Sequence, residues 1–437
     1  DPTRTDAFQA VTSILVDSKN WLALRDAYVN FINAVSQAGS QDVKLLAVLL
    51  QRLGDLSRIQ LDNFDDAIVA YDQAVQLVPH DMELREKIVA LSERNPEYYD
   101  KAAEHLAFMR QLTPDDPVLL TRIGMLAMRR KEIDQAFCIF RSLDYAGVEL
   151  EAKPKRFVQQ LSMSKYRAPA SGLSLKMMSS HVFDPQLDWR ISKVFSIINP
   201  VLEEYLGESR SKYGLRRRDR VRVEEQLVFN NIYRSIGGAL GYGDQLPELW
   251  RRPEQLGLIN GALIPKGLIA GDDLLGRTNE KMISFVVAKQ LFLFLNPFYL
   301  AAIRPLDELQ GVFMLALALA EPGKFPNIPT NNDVFKLMSK KIRGEQLDRL
   351  RKAVQVLTAQ EQGVDLGMWL ERVEDSSNRV GFIFCDDLAT CEQYLDTEPQ
   401  RISQRTVTAR MQSLVEYSLS STYAELRAEL GLTISSK

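Results

Sequence analysis

The sequence predicts a mainly α-helical protein in two parts: helical repeats, then an α+β domain with a small sheet. Three observations carry this. Across residues 1–150, Leu, Ala and Tyr recur at three- and four-residue spacing with few β-branched runs. Ala67, Ala102 and Ala136 stand 35 and 34 residues apart (102 − 67, 136 − 102), the interval of a repeated helical unit. Ile283 to Leu295, ISFVVAKQLFLFL, is too long for a typical strand and nearly apolar all round, so it reads as a helix buried on most faces.

Composition bounds the rest. A chain of 437 residues allows about two or three domains, and 46% hydrophobic with 25% charged residues is enough for a sizeable core. A net charge of −3 argues against general nucleic-acid or anionic-membrane binding. Cys138, Cys385 and Cys391 have neither disulfide-framework nor paired zinc spacing, which points to reduced thiols and a cytoplasmic location. The chain begins at Asp1 without a methionine, as a piece of a longer protein would, and no secretory signal pattern opens it. The apolar stretch 282–303 contains Lys289, Gln290, Asn296 and Pro297, so a core helix is expected there rather than membrane insertion.

Each recurring alanine is followed four residues later by a bulky side chain: Tyr71, Leu106 and Phe140. The small residue lets two helices approach, the large one fills the adjoining gap, and Pro79 and Pro114 stop the second helix of two units. Leu120, Ile123 and Gly124 open a helix in matching phase, and Leu53-Gly54 nearly does the same earlier. A degenerate half-unit is expected around Trp21, Leu24 and Tyr28. This pattern resembles the tetratricopeptide repeat, best over 62–143; a generic helical array is the other reading. On the third unit, the face left for a partner should include Thr121, Met125 and Met128, unless the methionines pack against the next element. His80 is expected at a solvated turn and His105 on a helix face.

Between 148 and 173 the pattern lapses, with Pro154, Pro169 and Gly172 as punctuation, so the domains are placed at 1–150 and 175–437. An amphipathic helix is expected over 188–206, kinked or interrupted at Pro200. The basic residues from Arg210 to Arg222 are interspersed with Asp219 and lack an aromatic stacking series, so they read as a solvated, partly paired face. A short strand at 226–229 and, over 246–269, apolar runs alternating with turns follow; Asp272-Asp273 reads as a helix start. Further helices are expected over 309–320 and 336–358, with three short ones between 389 and 430.

Lys289-Gln290-Leu291-Phe292-Leu293 is the window of the buried helix that bears on chemistry. On a helix, positions i and i+4 share a face and can hold one metal ion. Here they are a protonated amine and a hydrocarbon, Lys289 and Leu293, and neither offers a lone pair. Gln290 between them cannot take a proton as a carboxylate does. His80, His105 and His181, the only histidines, form no pair at ligand spacing.

With its apolar lead-in Phe285 to Ala288, this window resembles the active-site helix of HtpX-like zinc metallopeptidases, where His-Glu-x-x-His would stand. A second segment, Glu374 to Gly381, resembles the later helix of that family. Glu374 matches its third zinc ligand and Arg379 and Gly381 match its tail, while Asn378 replaces an orienting aspartate. The resemblance covers about 175–437 and implies a bacterial gluzincin fold without its metal or cofactor. It also implies a sheet edge along a former substrate groove, and two places for Lys289: facing Glu374 in place of the lost cation, or snorkelling to solvent.

The resulting expectation is a non-enzymatic scaffold or adaptor whose partner is another protein or peptide, held by the repeat surface or the former groove. The alternative is an enzyme of unrelated chemistry in the same cleft; no phosphate-binding Gly-rich loop or nucleophile elbow supports it.

Overall fold

A computed structural model describes residues 4–38, 42–222, 227–359 and 363–434. The chain is mainly helical with one three-stranded sheet. It divides into two compact units between Lys155 and Arg156, within the helix Ala152–Leu161. Residues 148–173 are therefore not a bare connection. Beyond that helix the stretch is stitched into the second unit: the Tyr166 hydroxyl meets Ser235 Oγ at 2.9 Å, and Ala170 N–H donates to Leu430 O at 2.8 Å.

The first unit is a series of antiparallel helices: α1 (Thr5–Asp17), α2 (Trp21–Gln37), α3 (Val43–Ile59), α4 (Phe64–Leu77), α5 (Met82–Ser92), α6 (Tyr99–Leu112), α7 (Pro117–Arg129) and α8 (Ile133–Tyr145). Their starts are written in the sequence. Asn20, Asp42, Asn63, Asp81 and Asp116 each accept a hydrogen bond from a backbone N–H two or three residues on, satisfying a donor that the first turn leaves free. The expected half-unit around Trp21 is a complete helix, with Leu24, Phe31 and Val35 buried.

The repeat has a volume rule. Ala67, Ala102 and Ala136 are fully buried, as are the bulky residues four positions later. On the preceding helix, the partner of each bulky residue scales inversely with it. Gly54 lies against the ring of Tyr71, and Gly124 against Phe140, where an added Cβ would fall 2.7 Å from the ring. In the middle unit the bulky residue is only Leu106, and Val89 packs in its cluster. Close packing leaves no other solution, because each crossing has room for one large side chain.

His105 stands on a helix face of α6, as expected, and that face is buried. Arg85, which can only donate, reaches its Nδ1 at 2.9 Å, so the ring proton sits on Nε2, 3.5 Å from Asp72 Oδ1. Burial first, then the charge of Arg85, push its pKa below the ordinary 6.5. The unfolded chain accepts the proton and the folded chain resists it. The contribution of His105 to stability is thus complete above pH 6.5 and declines as pH falls below it. We expect the melting temperature of the first unit to drop between pH 7 and pH 5, and His105→Gln to flatten that drop.

In the second unit, β1 (Glu248–Arg251), β2 (Leu258–Gly261) and β3 (Gly267–Ala270) form a sheet of order β1-β3-β2. β1 runs parallel to β3 and β2 antiparallel to it, which leaves β2 as an edge. The helix Glu280–Phe292 forms the centre, buried from Lys281 to Phe292. Its neighbour Leu366–Cys385 approaches at Gly381, where a Cβ would lie 2.7 Å from the Phe285 ring and 2.9 Å from the Phe285 carbonyl oxygen.

Three local expectations are corrected. Val228 and Phe229 open the helix Val228–Ala239 rather than a strand, because Phe229, Ile232, Tyr233 and Ile236 form one buried helical face; position 226 lies outside the described residues. The helix expected over 336–358 is two helices, Asp333–Lys341 and Glu345–Thr358, parted at Gly344 with φ +53°. The helix around Pro200 runs unbroken from Trp189 to Leu206. Among the described residues, no helix is long and apolar enough to cross a membrane.

Candidate functional site

The last turn of the Glu280–Phe292 helix places Lys289 and Gln290 in the core, 2% and 1% exposed, and Leu293 caps its end. A buried ammonium requires a counter-charge. The Lys289 Nζ donates to Asn378 Oδ1 at 2.8 Å and ion-pairs with Glu398 Oε1 at 2.6 Å. The reading in which Lys289 faces Glu374 is corrected in its partner, and the snorkelling reading is excluded by this burial.

Glu374 takes other neighbours. Ser403 Oγ donates to its Oε2 at 2.5 Å, and Arg410 Nη1 lies 3.6 Å from its Oε1. Arg410 also donates to Glu398 Oε2 at 2.6 Å and to Leu395 O at 3.1 Å. Two cations, Lys289 and Arg410, therefore meet two carboxylates, Glu374 and Glu398, and all four are almost wholly withdrawn from solvent. A balanced set of this kind is what a low-dielectric interior tolerates.

Gln290 joins the cluster to the sheet: its Oε1 accepts from Asn260 Nδ2 at 2.9 Å. Burial first, and then the charge of nearby Glu398, push the Tyr394 pKa up and hold that phenol neutral. Leu293 contributes hydrocarbon only, 2% exposed. Two cations already neutralise these carboxylates, so the cluster has no surplus negative charge with which to hold a metal ion. Among the described residues, no group of three or more His, Cys, Asp or Glu could hold a metal ion.

A second ionic set adjoins the first through Asp375. Arg405 pairs with it and Arg372 reaches it at 3.2 Å, while Arg379 donates to Asp184 at 2.8 Å. Burial nonetheless pushes the Asp375 carboxyl up to about 6. Arg379 thus secures the Asp184 turn to the helix, and Gly381 provides the close approach to Phe285.

The edge of β2 is not bare, which corrects the expectation of an open groove edge. Asn260 N–H donates to Gln400 Oε1 at 2.8 Å, and Asn260 O accepts from Gln400 Nε2 at 3.3 Å. Further along, Ala262 N–H donates to the Tyr213 hydroxyl and Ala262 O accepts from Glu208 N–H.

Thr121, Met125 and Met128 share one face of α7, all half-buried, with Thr121 Oγ1 donating to Pro117 O at 2.7 Å. The basic stretch is exposed and partly paired, Lys212 with Glu208 and Arg220 with Glu248. Asp272 pairs with Arg251, and the Asp273 carboxylate accepts from Gly257 N–H.

Sequence reasoning missed Glu398, Ser403, Arg410 and the Asn260–Gln400 pair. Arg410 left a signal: with Met411, Leu414 and Tyr417 it lies on the buried side of the helix Val407–Ser418, where an apolar residue is the norm. Glu398 left none, since nothing in an irregular polar stretch marks one acid as buried.

No family model matches the chain, and no curated protein matches it in sequence.

Proposed function

We propose that this chain is a non-catalytic, cytoplasmic protein-binding scaffold: tetratricopeptide-type repeats joined to a metallopeptidase-like domain of the HtpX type whose metal position is filled by side chains. One observation carries this. Where the resemblance expects a zinc ion, Arg410 bridges Glu374 and Glu398, and Lys289 pairs with Glu398. A site neutralised from within cannot polarise a carbonyl or activate water.

A stack of helices with Gly and Ala at its crossings supports binding of an extended or helical polypeptide along one face, and the two methionines of α7 suit adaptable contacts. The test is affinity capture with the full chain, wild type against a Thr121→Lys, Met125→Glu, Met128→Glu chain of unchanged melting temperature. The expected result is one reproducible protein partner, depleted at least tenfold by the substitutions. Absence of any protein partner, with turnover of a small molecule in the cleft, would favour the enzyme instead.

A further inference from the structure

Residues 398–405 cross the outer edge of β2 without helix or strand of their own. Their anchors are polar side chains at four positions. Glu398 binds Lys289 and Arg410, Gln400 binds Asn260, Ser403 binds Glu374, and Arg405 binds Asp375. Of the eight residues only Glu398 and Ser403 are buried, so apolar burial adds little to the attachment. Beneath Gln400 to Gln404 lies a cavity of about 360 Å³, bounded on its far side by residues 301–306 and Leu370.

Gln400 is the informative anchor. Its side-chain amide is chemically a peptide bond, and it is used as one. Its oxygen accepts from Asn260 N–H while its nitrogen donates to Asn260 O and, at 2.8 Å, to Ala302 O. An unpaired donor–acceptor pair on an edge strand is what an extended polypeptide adds to. Here a side chain of the same protein holds that pair.

We propose that residues 398–405 are a strap that closes this edge in cis, and that its replacement is an extended peptide carrying a carboxylate. This deepens the scaffold reading and rests on it. The charge requirement follows from the cluster: with Glu398 withdrawn, Arg410 keeps only Glu374 and Lys289 keeps no carboxylate, two buried cations against one acid. The incoming strand restores balance by placing an acid two positions before the residue that pairs with Asn260, as Glu398 stands to Gln400. The tethered strap acts at an effective concentration on the order of millimolar, so the closed form is the resting form. Weak apolar burial and the cavity below let it open without unfolding the domain.

The test uses the full chain, wild type and Gln400→Ala, and a labelled synthetic peptide of the strap sequence, residues 396–406, with a second version bearing Glu398→Gln. The Gln400→Ala chain should bind the peptide at least tenfold more tightly than wild type by fluorescence anisotropy. The neutralised peptide should lose at least tenfold. Hydrogen exchange at the Asn260 amide should accelerate at least a hundredfold in Gln400→Ala and slow again when peptide is added. Unchanged Asn260 exchange, or equal peptide affinity in both chains, overturns the proposal. If Gln400→Ala fails to fold, the wild type decides: Asn260 exchanging with the strap amides, ahead of β3, supports the strap, and Asn260 exchanging only with β3 refutes it. A chain with α7 substituted should bind the peptide unaltered. Failure of the strap therefore leaves repeat-mediated capture standing, and failure of that capture leaves the peptide result intact.

Discussion

Lys289→Ala should lower the stability of the second unit by about 3–5 kcal/mol, the range for removing one partner of a buried ion pair. The loss comes mainly from what remains. Glu398 and Glu374 would share Arg410 as their one cation, and Asn378 Oδ1 would lose its donor. Urea unfolding should show a lower midpoint with an unchanged slope. Lys289→Met together with Glu398→Gln should recover much of the loss, because balanced removal of a buried pair is often neutral. A cost below about 1 kcal/mol for Lys289→Ala would mean that the ammonium reaches water in solution.

Gly381→Ala should cost about 3 kcal/mol, the upper part of the range for overpacking. The new methyl would meet the Phe285 ring at 2.7 Å and, more restrictively, the Phe285 carbonyl oxygen at 2.9 Å. A ring can rotate away, but a carbonyl in the middle of a buried helix cannot. The two helices would have to separate, loosening the Lys289–Asn378 contact that bridges them. The melting temperature reports the cost. An unaffected chain would show that the helices sit further apart than this geometry requires.

Much of the fold was legible, for reasons specific to its elements. In the repeats, the alanines at 67, 102 and 136 fix the helix crossings, and Asn20, Asp42, Asn63, Asp81 and Asp116 fix five of the helix starts. The central helix was legible because nothing but a core accommodates ISFVVAKQLFLFL. Its end was not: Leu293 to Leu295 are as apolar as what precedes them, yet the helix stops at Phe292. Apolarity reports burial and not backbone form. Val228-Phe229 misled in the same way, being strand-like in type and helical in phase.

The candidate site was legible by half. Lys289, Gln290, Glu374 and Asn378 are all in the core, but the partner of Lys289 is Glu398, 109 residues away (398 − 289), rather than Glu374. A single sequence shows that a buried cation needs a carboxylate without showing which of several will reach it. His105 is the same lesson in the repeats, because its partner Arg85 is charged and gave no sign of being buried.

A charge-balanced cluster in place of a metal ion predicts a metal-free protein, and the metal content of the purified chain tests this most directly. Elemental analysis after purification in zinc-supplemented buffer should return less than about 0.1 zinc per chain, since Lys289 and Leu293 supply no ligand. Chelator treatment should leave the melting temperature unmoved. One zinc per chain, removed by chelation together with a fall in melting temperature and a peptidase activity, would contradict the account.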